Sequence, residues 1–315
     1  MTPILMFPGQ SSRYAGMIDL CLDRAPETSR PIVAEASEAL GRDLAAHYRA
    51  DHEAAFDSNR DVQVGVFLAN HLHLRALEAA GVKAELSLGL SLGEYNHLVH
   101  IGAIAFADAL RLVDARGQVY DRGPEGFMAS VFPLDLATLE EVIAQVKDRG
   151  PIEIGNRNSP TQNVLSGARA AIEAAMPILE EDHGCECVVI ERKIPMHASI
   201  FRPAADALRP ALEAAPWQRP RLGYLPNVTA TFEDDPTPER LVELLYRHVF
   251  SPVRWRESID LLAERVPDAA FVEVGPRAVL YNLLTRKWRT NPRFKTDAPE
   301  GQPAQFEAVA ASIRG

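Results

Sequence analysis

Cysteines, aromatic rings, long apolar runs and a surplus of basic charge are all scarce in this chain. Its three cysteines, Cys21, Cys185 and Cys187, are odd in number, and the Cys-x-Cys pair lacks the second pair a zinc site would need. They read as ordinary thiols of a reducing compartment, without a disulfide framework. The first apolar run, Ile4 to Phe7, is stopped at once by Pro8-Gly9, too early for a secretory signal. No segment approaches membrane-spanning length, so the expected setting is the cytoplasm. Acidic residues outnumber basic ones 43 to 33, which argues against a general nucleic-acid surface because phosphates would be repelled on average. An acidic partner would need a local basic patch. What remains is the composition of a globular α/β protein: 315 residues, 47% hydrophobic, enough for a large core with a smaller one attached.

Apolar periodicity divides the chain. Residues 4–7 read as a buried strand entering a loop. Residues 62–80 read as a helix with Val66, Phe67, Leu74 and Leu77 within an arc of about 100°. Leu68 and Leu72 lie elsewhere on it, so more than one face is expected to be buried. A short strand is expected before the glycine-rich stretch 87–93, and one long helical region over 94–120. Between 126 and 193 the pattern changes to strand (127–131), helix (135–146), strand (152–154), strand (163–165), helix (168–181) and strand (187–190), with a loop at 156–161. The order β-α-β-β-α-β is that of a ferredoxin-like unit. The fold expected is therefore α/β, with a small subdomain, residues 126–193, inserted into a large one formed by 1–125 and 194–315. Helices are expected at 203–214, 237–249 and 253–265, and a strand at 270–274.

The chemistry centres on Gly89-Leu90-Ser91-Leu92-Gly93, a G-x-S-x-G followed by Glu94. A strand-to-helix turn this sharp leaves no space for side chains two positions either side of the serine. It exposes the hydroxyl near a helix N-terminus, where developing negative charge is stabilised, and the Leu92 N–H would be one oxyanion donor. Alone, the pattern fits a serine-capped turn equally well, and also an esterase of the α/β-hydrolase kind. A serine nucleophile needs a base. His47, His52 and His183 sit in polar surroundings, and His71, His73, His97, His100 and His248 lie on expected helices. His197 follows a strand and Pro195 at the exit of the insertion, which singles it out as the candidate.

The surrounding residues resemble a known family. Gly89 to Tyr95 is similar to the G-H-S-L-G-E-Y signature of malonyl-CoA:acyl-carrier-protein transacylases and polyketide-synthase acyltransferase domains. Phe7-Pro8-Gly9-Gln10-Ser11-Ser12-Arg13 resembles that family's opening F-P-G-Q-G-S-Q. Arg116-Gly117, Asn156 to Gln162, Pro195-Met196-His197, Asn227-Val228-Thr229, Ser251 to Trp255 and Glu273-Val274-Gly275-Pro276 follow in the family's order. The resemblance covers nearly the whole chain.

It implies an acyltransferase with Ser91 as nucleophile and His197 as base. It further implies a backbone carbonyl at His248, where the family more often has glutamine, orienting that base, and the Gln10 N–H completing the oxyanion hole. Arg116 would grip the carboxylate of a malonyl-type acyl group through paired hydrogen bonds. Asn156, Asn158 and Gln162 would lie near the substrate. Acyl-CoA is the expected donor and a phosphopantetheinylated acyl carrier protein the acceptor, with no cofactor, metal, membrane or nucleic acid required. Arg192 and Lys193, with the basic stretch Arg286, Lys287, Arg289, Arg293 and Lys295, are candidates for docking an acidic carrier protein or else form a solvated basic surface. The chain departs from the family at Leu90, where histidine is usual, and at Ser11 and Arg13. Leucine variants resemble some free-standing acyltransferases and acyl hydrolases of polyketide pathways. Hydrolysis of acylated carrier proteins is therefore the rival activity, and a non-catalytic docking module the rival role.

Overall fold

The computed structural model describes residues 1–298 and 305–314. β1 (Thr2–Phe7) runs through a loop to α1 (Met17–Arg24), α2 (Pro26–Leu40), the short α3 (Leu44–His47) and the long α4 (Asn59–Ala79). β2 (Leu86–Gly89) turns into α5 (Gly93–His100), and α6 (Phe106–Tyr120) follows. Next come β3 (Phe127–Phe132), α7 (Leu136–Val146), β4 (Ile152–Arg157), β5 (Asn163–Gly167), α8 (Arg169–Pro177) and β6 (Glu186–Glu191). The chain continues through α9 (Arg202–Ala214), α10 (Pro238–His248), α11 (Trp255–Arg265), β7 (Ala269–Glu273), α12 (Val279–Leu283), β8 (Arg293–Lys295) and α13 (Phe306–Arg314).

Two sheets form. The first is parallel, in the order β2-β1-β7-β8, with Phe7 opposite Gly89 and Met6 opposite Glu273. Its central strand β1 is apolar on both faces, as a parallel sheet covered on both sides requires. Ile4 and Met6 pack with Leu88, Phe271 and Trp255 on one face. Leu5 and Phe7 pack with Leu74, Val272 and Val309 on the other. The second sheet is antiparallel, ordered β4-β5-β3-β6, and lies wholly within residues 126–193. It has its own core, where Val131 and Leu165 meet Leu139 of α7 and Ile172 of α8. A parallel bridge between Asn156 and Val253 joins it to the rest of the chain. There the Val253 N–H donates to the Gly155 carbonyl at 2.8 Å and the Arg157 N–H to the Val253 carbonyl at 2.9 Å.

α4 is buried on more than one face, with Val66, Phe67, Leu68 and Leu72 all fully enclosed. The region 94–120 is two helices rather than one. Gly102, with φ of 78°, ends the first in a left-handed turn. Asn156 and Arg157 belong to β4 instead of the loop expected there, because their pairing with Val164 and Asn163 continues past an irregularity in register. Helix α8 ends at Pro177 and is followed by a π-turn over Ile178–Asp182. Among the described residues no helix is long and apolar enough to cross a membrane.

Candidate active site

β2 ends at Gly89 and α5 begins at Gly93, so Ser91 stands in the turn between a strand and a helix. Its φ of 52° is a left-handed conformation that a serine adopts at a cost of about 1–3 kcal/mol. The two flanking glycines make the turn possible. A Cβ on Gly93 would strike the Phe7 carbonyl, and one on Gly89 would strike the Gly93 backbone. Asn227 braces the turn from the other side. Its Oδ1 accepts the Ser91 N–H at 2.8 Å, and its Nδ2 donates to the Gly89 carbonyl at 2.6 Å.

His197 reaches this serine from 106 residues away. Its own backbone is left-handed, with φ of 63°, and is fixed by an N–H donated to the Val249 carbonyl at 3.0 Å. Ser166 on β5 donates its hydroxyl to the Met196 carbonyl at 2.6 Å, which pins the preceding residue to the antiparallel sheet. The imidazole Nε2 lies 2.7 Å from Ser91 Oγ, and Nδ1 lies 2.9 Å from the His248 carbonyl oxygen. A carbonyl can only accept, so Nδ1 carries the proton and Nε2 presents its lone pair to the serine hydroxyl. Burial holds the ring neutral, lowering its pKa from 6.5 to about 4; the His248 hydrogen bond opposes this and the Arg116 charge adds to it. The pair can therefore deprotonate a serine oxygen at neutral pH without first shedding a proton.

Leu92 lies at the N-terminal edge of α5, where its N–H has no carbonyl one turn earlier to bond. Its side chain is fully buried. Gln10 opens the turn Gln10–Ser12 that follows β1. The hydrogen bond from the Leu90 N–H to the Phe7 carbonyl, 3.0 Å, holds that loop against the elbow.

A cleft of about 260 Å³ opens over the pair, lined by Ser91, His197, Gln10, Leu90 and the antiparallel-sheet residues Met128 and Val164. Asn156, Asn158 and Gln162 line it too, so the structure brings these three expected residues together around the serine. Asn158 Oδ1 is buried with no hydrogen-bond partner, an acceptor left unused by the protein.

Arg116 is not on the helix surface. It is 1% exposed, on α6, with its guanidinium carbon 4.1 Å from the Tyr120 ring centre and 5.5 Å from that of Tyr95. Nη1 donates to Gln63 Oε1 at 2.5 Å, while Nε and Nη2 have no partner. That leaves the bidentate edge of the fork unoccupied, although Arg116 does not itself line the 260 Å³ cleft. The expected docking residues divide. Arg192 and Lys193 are exposed beside Gln10 and Arg13 in a groove adjoining the cleft. Arg286 and Lys287 are exposed shortly after Leu283, a cleft-lining residue of α12, and Arg289 is partly buried in an ion pair with Asp260. Among the described residues no three His, Cys, Asp or Glu side chains gather as a metal site.

Two residues near the dyad escape the sequence reading. Asn227 was legible only as part of a family block, and its side-chain grip on the elbow has no periodic signature. Glu94 follows the elbow but turns into the core, 1% exposed, where burial raises its pKa from 4.5 to about 8 against the opposing hydrogen bond from Tyr224.

Known proteins share this sequence and fold along nearly the whole chain. The profile of the acyl transferase domain family matches residues 4–309. A malonyl CoA-acyl carrier protein transacylase of Bacillus subtilis is 31% identical over 316 residues, covering 98% of this chain and 96% of that protein. The crystal structure of a malonyl CoA-acyl carrier protein transacylase from Clostridium perfringens superposes with a TM-score of 0.90 at 28% identity, covering 100% of this chain and 98% of the other. A malonyl-transacylase solved in complex with its type II polyketide-synthase acyl carrier protein gives a TM-score of 0.88 at 28% identity, with 100% of both chains covered. With a serine at a strand-to-helix elbow, a neutral histidine on its oxygen and this match along almost its whole length, the chain belongs to the acyl transferase domain family.

Proposed function

We propose that this enzyme moves a malonyl-type acyl group from coenzyme A to the phosphopantetheine thiol of an acyl carrier protein, through an ester on Ser91. The observation that carries the reading is the 2.7 Å contact from Ser91 Oγ to His197 Nε2, with Nδ1 committed to the His248 carbonyl. Ser91 Oγ attacks the thioester carbon as its proton passes to His197 Nε2. The Leu92 and Gln10 N–H groups take the oxyanion. The C–S bond breaks, the imidazolium proton goes to the departing thiolate, and the ester remains. A carrier thiol then gives its proton to His197 and attacks the ester. The C–O bond breaks and the proton returns to Ser91 Oγ.

In this reading the free Nε and Nη2 edge of Arg116 receives the acyl carboxylate, helped by Asn156, Asn158 and Gln162. The serine side and the antiparallel side act as two parts: an α/β-hydrolase-like body of residues 1–125 and 194–315, and an inserted ferredoxin-like unit of 126–193 that covers the cleft. Arg192 and Lys193 meet the carrier protein at the mouth, with Arg286, Lys287 and Arg289 as a second basic region. The site works on soluble substrates in the cytoplasm and needs no cofactor beyond the acyl-CoA it consumes.

Hydrolysis is the second reading, favoured by the apolar Leu90 in the cleft wall and by Arg116 lying outside that wall. One assay separates them. The enzyme is incubated with malonyl-CoA and a holo carrier protein, and acylated carrier is measured against free malonate. Transfer predicts acyl-carrier as the dominant product; free malonate accumulating regardless of carrier would establish the hydrolase instead.

A further inference from the structure

The reaction as written uses Ser91, His197 and backbone groups, but both halves of the dyad lead to one buried carboxyl group. Glu94 Oε1 accepts the Tyr224 hydroxyl proton at 2.5 Å, and both its oxygens lie 3.4 Å from the Asn227 N–H. Asn227 in turn holds the Ser91 N–H and the Gly89 carbonyl. On the opposite side, Glu94 Oε2 lies 3.3 Å from His248 Nδ1. The carbonyl of that same His248 orients His197, whose ring stacks on the His248 ring at 5.0 Å and 28°. Glu94, Tyr224, Asn227, His248 and His197 are all less than 5% exposed.

A carboxyl group enclosed this completely is costly unless its oxygens are occupied. Acidic residues in a first helical turn ordinarily stay at the surface and favour the helix dipole from there. Glu94 instead points inward: Asn227 on one side of it holds the nucleophile's turn, His248 on the other carries the base's acceptor carbonyl, and Tyr224 occupies its remaining oxygen. Such an arrangement can set the relative position of two side chains that come from distant parts of the chain.

We propose that Glu94 is a positioning residue for the acyl-transfer step, fixing Ser91 through Asn227 and His197 through His248 so that Oγ and Nε2 stay within hydrogen-bond reach. His248 thereby has two functions, its carbonyl on the base and its ring on Glu94. With the carboxyl protonated, as its burial favours, no uncompensated charge sits beside the dyad, and Oε2 stays 3.3 Å from His248 Nδ1.

The inference rests on the acyl-enzyme reading, so the test includes a readout that needs no acyl-CoA. Glu94→Ala and Glu94→Gln are compared with the unaltered full chain in two measurements: the rate of labelling by a serine-directed fluorophosphonate, and kcat and KM for malonyl-CoA per titratable serine. The alanine variant is expected to lose about 10- to 100-fold in both labelling rate and kcat, with KM changed less than about threefold. Glutamine keeps an acceptor for Tyr224 and an N–H facing His248, and should recover to within about threefold of the parent. Equal rates in the alanine variant overturn the proposal, as does glutamine failing to rescue. If the alanine variant does not fold, Tyr224→Phe decides. Removing one tie should slow labelling measurably with KM unchanged, and an unchanged labelling rate rejects the role. A parent enzyme that labels but never accepts malonyl would refute the substrate assignment while the labelling rates still judge Glu94.

Discussion

The floor of the cleft and its mouth are built on opposite terms. On the floor, the polar atoms that touch Ser91 and His197 are buried and paired: Asn227 on the elbow, the His248 carbonyl on the imidazole, Ser166 behind Met196. Around this floor, some buried and some at the surface, other donors and acceptors stand open. Arg116 Nε and Nη2 and Asn158 Oδ1 lack partners, and Arg192 and Lys193 face solvent. The floor is preorganised for a reaction whose geometry is the same for every acyl group, and the open groups are where one acyl group or carrier can be told from another. Removing a floor residue should therefore lower kcat, and removing one of the open groups should change preference.

The largest effect expected is that of Ser91→Ala, which should abolish acyl-enzyme formation, with His197→Ala lowering the acylation rate by a factor of about 10⁴ or more. Quenched-flow acylation checks both, and substantial carrier loading by the serine variant would remove the distinction between floor and mouth. Gly93→Ala should come next. Its new Cβ meets a backbone carbonyl that cannot move without disturbing β1, so a stability loss of about 3 kcal/mol is expected by denaturant titration. Arg116→Ala should raise KM for malonyl-CoA about 10- to 100-fold and shift relative preference toward acetyl-CoA, the signature of a group left open for the acyl carboxylate. An unchanged malonyl-to-acetyl ratio would show that the free edge of its guanidinium does not meet the acyl carboxylate. Reversing Arg192 and Lys193 to glutamate should raise KM for the carrier protein by about tenfold at low salt and less at high salt. The rate with a malonyl thioester lacking phosphates should stay constant.

The smallest expected response is to pH. Because His197 is held down near 4, its neutral form is already complete at pH 6, and the acylation rate should be level from there upward and fall only as pH approaches 4. Stability behaves differently. His71 and His97, lowered to about 3, and His73, His100 and His197, lowered to about 4, contribute stability above the unfolded value of 6.5 that is lost as pH falls. Glu94 and Glu273, raised to about 8 and about 7, contribute stability below pH 4.5 that is lost as pH rises through those values. Thermal midpoints should thus be highest near neutral pH and fall on both sides.

The same contrast governs what could be read from residues alone. The elbow was legible because a steric demand fixes its residue types: no side chain larger than hydrogen fits at Gly89 or Gly93. His197 stood out by its place after a strand and a proline, and the family blocks gave its role. The braces were not legible. Asn227 reaches Ser91 across 136 residues, and nothing in its neighbours announces that contact. Glu94 read only as the start of one long helical region over 94–120, and the eight residues of α5 are too few for periodicity to mark which of its faces is buried. Secondary structure shows the same limit. The antiparallel unit emerged strand by strand, since alternation and turns are local signals, whereas the break at Gly102 required a left-handed φ that the surrounding alanines and isoleucines conceal. The stretch between β1 and α4 gave no expectation of helices, and there α2 carries Pro31 within it.

The account turns on an ester forming on one oxygen atom. Digestion of the enzyme after brief incubation with malonyl-CoA, followed by mass spectrometry of the peptide containing residue 91, tests this most directly. One malonyl group on Ser91 that disappears when holo carrier protein is added, with the carrier gaining it, is the predicted result. Carrier loading that proceeds with Ser91 never modified, or with the acyl group on another residue, would contradict it.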